Sequence, residues 1–317
     1  MTGPRVPALH VTRAWRMEPV ELPWPVPADG EVSVRLLFAT VCGSDVPKFT
    51  GTWARFTPPL VPGAPIHECV GVVEQSRVPG IAEGEPVLAI PKHDAGLAEV
   101  YLASAAQTTR LPGWSEDDLP YATLGQPTAA VLHGLDRLGD VRGARVAIIG
   151  LGGIGLIAAI LLRGRGVAQL AVIEPNEYRR TLGAFLVNAQ GYPAWSTELA
   201  GQADVVVEAV GHDTYGDTLP VCLRTVRPGG RVLLLGNPAD TSHAVGVETI
   251  VRRNLCLVGS ISPQWETYLS AGARAVHDDL ATFRRLITGH ARWRDAERVF
   301  REHADPASSR LKVVLTG

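Results

Sequence analysis

The chain has 317 residues, of which 46% are hydrophobic and 20% charged, with a formal net charge of −2. That length suits about two globular domains, and a near-neutral charge without a basic run excludes a protein that grips nucleic acid or an anionic membrane by charge. The four cysteines, Cys42, Cys69, Cys222 and Cys256, have no disulfide-framework spacing. This fits a reducing, cytoplasmic setting, and the N-terminal stretch lacks the apolar core of a signal peptide.

The first third reads as β-rich and punctuated by turns. EVSVRLLFAT largely alternates, and CVGVVEQS and EPVLAI are short apolar runs bounded by Gly and Pro. Two stretches inside this region carry chemistry. FATVCGSDVPKFTG places Cys42 after a strand-like run, and PGAPIHECVGVV places His67 and Glu68 at the entry to another. Singly, Cys42 reads as a packed thiol and the histidine–glutamate pair as a surface pair. Together, a thiolate, an imidazole and a carboxylate form a donor set that zinc accepts. Cys69 competes as a soft ligand, although along a strand it alternates away from its neighbour Glu68. From Ser115 to Asp140 the pattern turns helical, with LGQPTAAVLHGLDRLGD spacing its apolar residues by three and four.

From Arg145 strands and helices alternate. RVAIIG, QLAVIE, DVVVEAVG, GGRVLLLG and NLCLVGSI read as buried strands, and GIGLIAAILLRGRG and NEYRRTLGAFLVNA as helices. Near-continuous Val/Leu/Ile strands between helices imply a parallel sheet covered on both faces. Residues 146–162 are uncharged over 17 positions, but their glycines cluster in a turn and a membrane span needs about 20 apolar residues, so no span is expected. Gly150, Gly152 and Gly155 stand in G-x-G-x-x-G spacing, with Gly153 and Ile154 between them, after a strand and before a helix. Glu174 ends the next strand about 20 residues on, the context a dinucleotide-binding loop requires. An acidic side chain there accepts from ribose hydroxyls and repels a 2′-phosphate, favouring NAD over NADP, while Arg179 and Arg180 lie close enough to weaken that preference. Cys222 and Cys256 lie in apolar runs and read as core. DDLATFRRLITGH is expected as an amphipathic helix, and SRLKVVLTG as a closing strand.

A dinucleotide domain behind a β-rich region carrying VCGSD and IHE resembles the medium-chain dehydrogenase/reductase superfamily, in its zinc-dependent alcohol and polyol dehydrogenase branch, such as sorbitol and threonine dehydrogenases. The resemblance covers nearly the whole chain: CGSD, PGAPIHECVGVV, GGRVLLLG, NLCLVGS and LKVVL each match a family segment. It implies an α/β fold in which a Rossmann doubly wound parallel sheet, residues 127–262, is inserted in a β-rich GroES-like catalytic domain, residues 1–126 and 263–317. It implies that Cys42 and His67 ligate one zinc, with Glu68 as third ligand or exchanging with water. It further implies that Asp45 holds the far nitrogen of His67 and that Ser44 is the proton-relay hydroxyl. The activity implied is hydride transfer between NAD and a small-molecule secondary alcohol or its ketone. The polyol-like layout points to a polyol, sugar, cyclitol or aminocyclitol. The edge strand NLCLVGSI implies a homodimer or a tetramer.

Three departures stand out. Gln126 replaces a glutamate usual in the polyol branch, and a neutral amide is a poorer zinc ligand. Pro47 replaces a histidine that in many relatives passes the proton outward. The stretch between Val87 and Leu111 has no cysteine, where many relatives hold a second, structural zinc. The alternatives left open are a metal-free quinone or enoyl reductase of the same fold, and a dinucleotide-binding sensor without catalysis.

Overall fold

The computed structural model describes residues 3–194, 196–211, 218–237, 246–261, 264–305 and 307–317. In chain order they form β1 (Arg5–Arg13), β2 (Arg16–Pro23), β3 (Glu31–Thr40), α1 (Asp45–Thr50), β4 (Glu68–Ser76), β5 (Pro86–Ala89), β6 (Val100–Ser104), β7 (Thr108–Arg110), α2 (Leu119–Ala122) and α3 (Gly125–Leu138). There follow β8 (Arg145–Ile149), α4 (Gly153–Gly164), β9 (Gln169–Ile173), α5 (Glu177–Val187), β10 (Gln190–Tyr192), β11 (Ala203–Glu208), α6 (Leu219–Thr225), β12 (Val226–Leu234), α7 (Val247–Arg252) and β13 (Cys256–Gly259). The chain closes with α8 (Trp265–Asp278), α9 (Leu280–Phe283), β14 (Ile287–Arg292), α10 (Ala296–Ala304) and β15 (Lys312–Thr316). Two compact units result, Met1–Ala129 with Gln264–Gly317, and Ala130–Pro263; the division falls within α3.

In the first unit the main sheet runs β14-β15-β3-β4-β5-β7, with β6 also on β3. The alternation of β3 buries Val32, Val34 and Leu36 in a core shared with Phe49, Ile66, Cys69 and Phe300. Cross-strand register does the positioning. β3 and β4 are antiparallel and set Thr40 opposite Glu68, while β15 sets Val314 opposite the same Thr40. The entry of β4, the exit of β3 and the start of β15 therefore meet at one sheet end, although they come from distant parts of the sequence.

The second unit is a six-stranded sheet in the order β10-β9-β8-β11-β12-β13, parallel throughout. Val205, Val206 and Val207 are all fully buried, as expected of a strand covered on both faces. The order reverses between β8 and β11. In doubly wound sheets ligands bind at such a switch point, outside the carboxyl ends of the strands. The uncharged segment 146–162 divides into β8, a glycine turn and most of α4; among the described residues no helix is long and apolar enough to cross a membrane.

Two expectations are corrected. DDLATFRRLITGH is not one helix: α9 has four residues, a 3-10 turn follows at Arg284–Leu286, and Ile287–Arg292 is strand β14, parallel to β15. β-branched Ile287 and Thr288 followed by Gly289 disfavour helix, and the ladder with β15 takes up their backbone groups. Cys222 is buried, but Cys256 is exposed, because β13 is an edge strand.

Candidate functional site

At the end of β3 the chain leaves the sheet through Val41 and turns into α1. Asp45 closes this turn in both directions. Its amide donates to the Cys42 carbonyl at 3.0 Å and its Oδ2 accepts from the Cys42 amide at 3.0 Å. On the opposite strand His67 and Glu68 enter β4. The register brings Cys42 Sγ, a His67 ring nitrogen and a Glu68 carboxylate oxygen within 4.8 Å of one another. Asp45 is fully buried and its Oδ1 lies 3.0 Å from His67 Nδ1. The approach is a close charge contact rather than an aligned hydrogen bond. It leaves Nε2 as the ring nitrogen available for a metal.

Burial opposes an imidazolium at His67, but the Asp45 carboxylate and then the Cys42 sulfur outweigh it and hold the proton well above the ordinary histidine value. Burial likewise opposes the Asp45 carboxylate, yet His67, Lys48 and the Cys42 amide draw its value below the usual one. The donor chemistry suits zinc, which takes sulfur, nitrogen and oxygen ligands together. A cation on Nε2 would take the place of a proton there, while Nδ1 keeps facing Asp45 Oδ1.

Two buried lysines flank this cluster. Lys312, 2% exposed, donates to Glu68 Oε1 at 2.5 Å and Oε2 at 2.6 Å and reaches the Val41 carbonyl at 3.3 Å. Thr40 Oγ1 also donates to Glu68 Oε2. Burial opposes the ammonium, but Glu68 foremost raises the lysine above its usual value. Lys48 Nζ lies 3.7 Å from Asp45 Oδ1 and 2.7 Å from Asp94 Oδ2. Glu68 is therefore already engaged, and ligation through it means sharing lone pairs with Lys312; a carboxylate has about four such sites. Ser44 is half-buried and makes no capping bond to α1. Pro47 is buried within α1, and Gln126 is buried in the first turn of α3.

Thr40, Asp94 and Lys312 were not legible as site residues. Lys312 carried one usable signal, a lone charge inside the apolar run LKVVL. Asp94 carried none, because the left-handed backbone that aims it cannot be read from residue types.

In the second unit Gly150 has φ +90°, and a Cβ there would meet Val210 Cγ2 at 2.5 Å. A Cβ on Gly155 would lie 1.9 Å from the Gly150 carbonyl oxygen. At Gly152 a Cβ would meet nothing within 4 Å, and Gly153 begins α4. The turn thus packs tightly at Gly155 and stays open at Gly152 beside Ile154 and the helix start, where a pyrophosphate would approach. Glu174, buried at the end of β9, accepts from the Leu151 amide at 2.7 Å and the Asn176 amide at 2.9 Å. The Arg179 amide donates to Asn176 Oδ1 at 3.1 Å, and the Arg180 guanidinium donates to the carbonyls of Glu174 and Pro175. Glu208 at the end of β11 was missed by sequence reasoning. Its Oε1 accepts from the Val210 amide and Thr218 Oγ1, both at 2.9 Å, and so braces the facing side of the switch point.

Residues 28–115 match the alcohol dehydrogenase GroES-like domain, and residues 153–276 match the zinc-binding dehydrogenase family. L-threonine 3-dehydrogenase of Bacillus licheniformis is 28% identical over 280 residues, covering 72% of this chain and 75% of that protein. Among solved structures, galactitol-1-phosphate dehydrogenase of Escherichia coli has a TM-score of 0.83 at 19% identity, covering 98% of this chain and 100% of that one. S. aureus TarJ in complex with NADPH has a TM-score of 0.80 at 21% identity, covering 99% of each chain.

Proposed function

The chain belongs to the zinc-dependent medium-chain dehydrogenase/reductase superfamily, and from that membership we propose an NAD-dependent alcohol dehydrogenase. It oxidises a secondary alcohol on a polar scaffold, a polyol, sugar, cyclitol or aminocyclitol, or reduces the matching ketone. The observation that carries this reading is the convergence of Cys42, His67 and Glu68 within 4.8 Å. Cys42 and His67 would hold the zinc, with Glu68, which rests on Lys312, as third ligand or exchanging with water. Zinc, when bound, supplies a Lewis acid that draws charge from the substrate oxygen, and NAD supplies the hydride acceptor.

The protein's own residues do the rest. Asp45 keeps the His67 ring in one tautomer by facing Nδ1. Ser44, uncommitted to the helix it precedes, takes the hydroxyl proton. Pro47 cannot pass it outward, so the proton would leave by water or by some other group. The open position at Gly152 would admit the pyrophosphate, and Glu174, which already accepts from the Leu151 and Asn176 amides, would face the ribose hydroxyls. A buried carboxylate at that position opposes a 2′-phosphate. The Arg180 guanidinium is committed to backbone carbonyls, which supports NAD. The exposed edge strand β13 suits pairing with its copy in a homodimer or tetramer, and a cytoplasmic setting fits the free cysteines.

The test is a panel of polyols, sugars, cyclitols and aminocyclitols offered to the zinc-loaded protein with NAD or NADP, followed by cofactor absorbance. The expected result is turnover of at least one secondary alcohol, with kcat/KM for NAD above that for NADP by about tenfold or more, equivalent to ~1.4 kcal/mol. Preference for NADP would sink the cofactor assignment alone. Cofactor binding with no alcohol turned over would sink the reaction.

A further inference from the structure

Lys48 is a buried ammonium to which the reaction above assigns no role. It is 7% exposed. Its Nζ donates to Asp94 Oδ2 at 2.7 Å, stands 3.7 Å from Asp45 Oδ1, and lies 5.2 Å over the Phe56 ring. Asp45 Oδ1 is also the atom facing His67 Nδ1 at 3.0 Å, while Oδ2 holds the Cys42 amide. One buried carboxylate therefore touches the His67 ring and the Cys42 backbone amide, and Lys48 sits on its His67 edge.

The anchor of Lys48 is itself built. His93 and Asp94 have φ of 58° and 55°, a region that residues other than glycine seldom adopt and that persists when the surroundings enforce it. The turn is closed by Asp94 N to Pro91 O and Ala95 N to Lys92 O, each at 3.1 Å. It is tied to the segment leading into His67 by Gly96 N to Ile66 O at 3.0 Å. Asp94 is thus held in register with the histidine it serves at a distance.

We propose that Lys48 is a positioning residue for the metal centre: anchored by Asp94, it fixes the Asp45 carboxylate so that His67 keeps Nδ1 inward and presents Nε2 beside Cys42. The proposal rests on the zinc reading above. Outer partners of metal ligands are worth about 10–100-fold in affinity, and a buried carboxylate stripped of its cation is free to turn toward other donors.

Zinc affinity of the metal-stripped protein, measured by chelator competition, tests this on the parent, Lys48→Met, Lys48→Arg, Asp94→Asn and the Lys48→Met/Asp94→Asn double variant. Cobalt(II) absorption of each reports ligand geometry. Lys48→Met is expected to weaken zinc about 10–100-fold and shift the cobalt bands, with Lys48→Arg restoring most of the loss. Asp94→Asn is expected to weaken zinc by itself and to add nothing in the Lys48→Met background, the signature of residues acting in series. NAD affinity stays at the parent value throughout. Zinc affinity within about twofold of the parent in both Lys48→Met and Asp94→Asn overturns the proposal while leaving the zinc reading intact. A parent chain that binds no zinc overturns both. If Lys48→Met fails to fold, Asp94→Asn decides alone, since that side chain is 38% exposed.

Discussion

Lys312→Met lowers stability by about 3–5 kcal/mol, because it strands a buried carboxylate. Glu68 is wholly buried and both its oxygens rest on the lysine, with Thr40 adding one hydroxyl. The pair itself gains little over an apolar pair, since desolvating two ions offsets their attraction; removing one partner leaves the penalty of the other unanswered. The double variant Lys312→Met/Glu68→Gln therefore recovers most of the loss, because the amide still accepts from Thr40 and carries no charge. Denaturant unfolding of metal-free protein at neutral pH reads both. The lysine's value is raised, so its contribution is complete below the ordinary lysine range and is lost only as pH climbs past the folded value. Equal losses in the single and double variants would show that Lys312 contributes through packing and not through Glu68.

Gly155→Ala weakens NAD binding by about 10–100-fold, equivalent to ~1.4–2.7 kcal/mol. The new Cβ would lie 1.9 Å from the Gly150 carbonyl oxygen and 2.9 Å from its carbon. Both are backbone atoms, so relief comes only by opening the glycine turn proposed to meet the pyrophosphate. Gly164→Ala is the control, lying in the last turn of the same helix with nothing within 4 Å of its Cβ. That change is expected to leave NAD binding alone and to stabilise by at most about 1 kcal/mol through helix propensity. Calorimetric titration with NAD distinguishes them. Equal affinity for the two variants would mean that the glycine turn does not contact the cofactor.

The contrast between these two predictions shows what a single sequence reveals. Gly155 is legible because its role is local: spacing, a preceding strand and a following helix suffice. The same holds for β3, for the alternating strands and helices from Arg145 on, and for the proximity of His67 to Glu68. Lys312 is separated from Glu68 by 244 positions, and only the β15–β3–β4 register brings them together. That register is a tertiary fact, invisible to periodicity. β14 was misread for the same reason, since its partner β15 is a distant segment. Cys256 was misread because an apolar run does not say whether its strand is central or at an edge. Asp94 was hidden by a backbone conformation rather than by its residue type.

The most direct measurement is zinc content per chain, on protein purified without added metal or chelator, for the parent and Cys42→Ala side by side. About one zinc in the parent, almost none in the variant, and NAD bound equally by both is the expected result. A parent that binds NAD but carries no zinc would contradict the metal centre and turn attention to the reduction of activated alkenes.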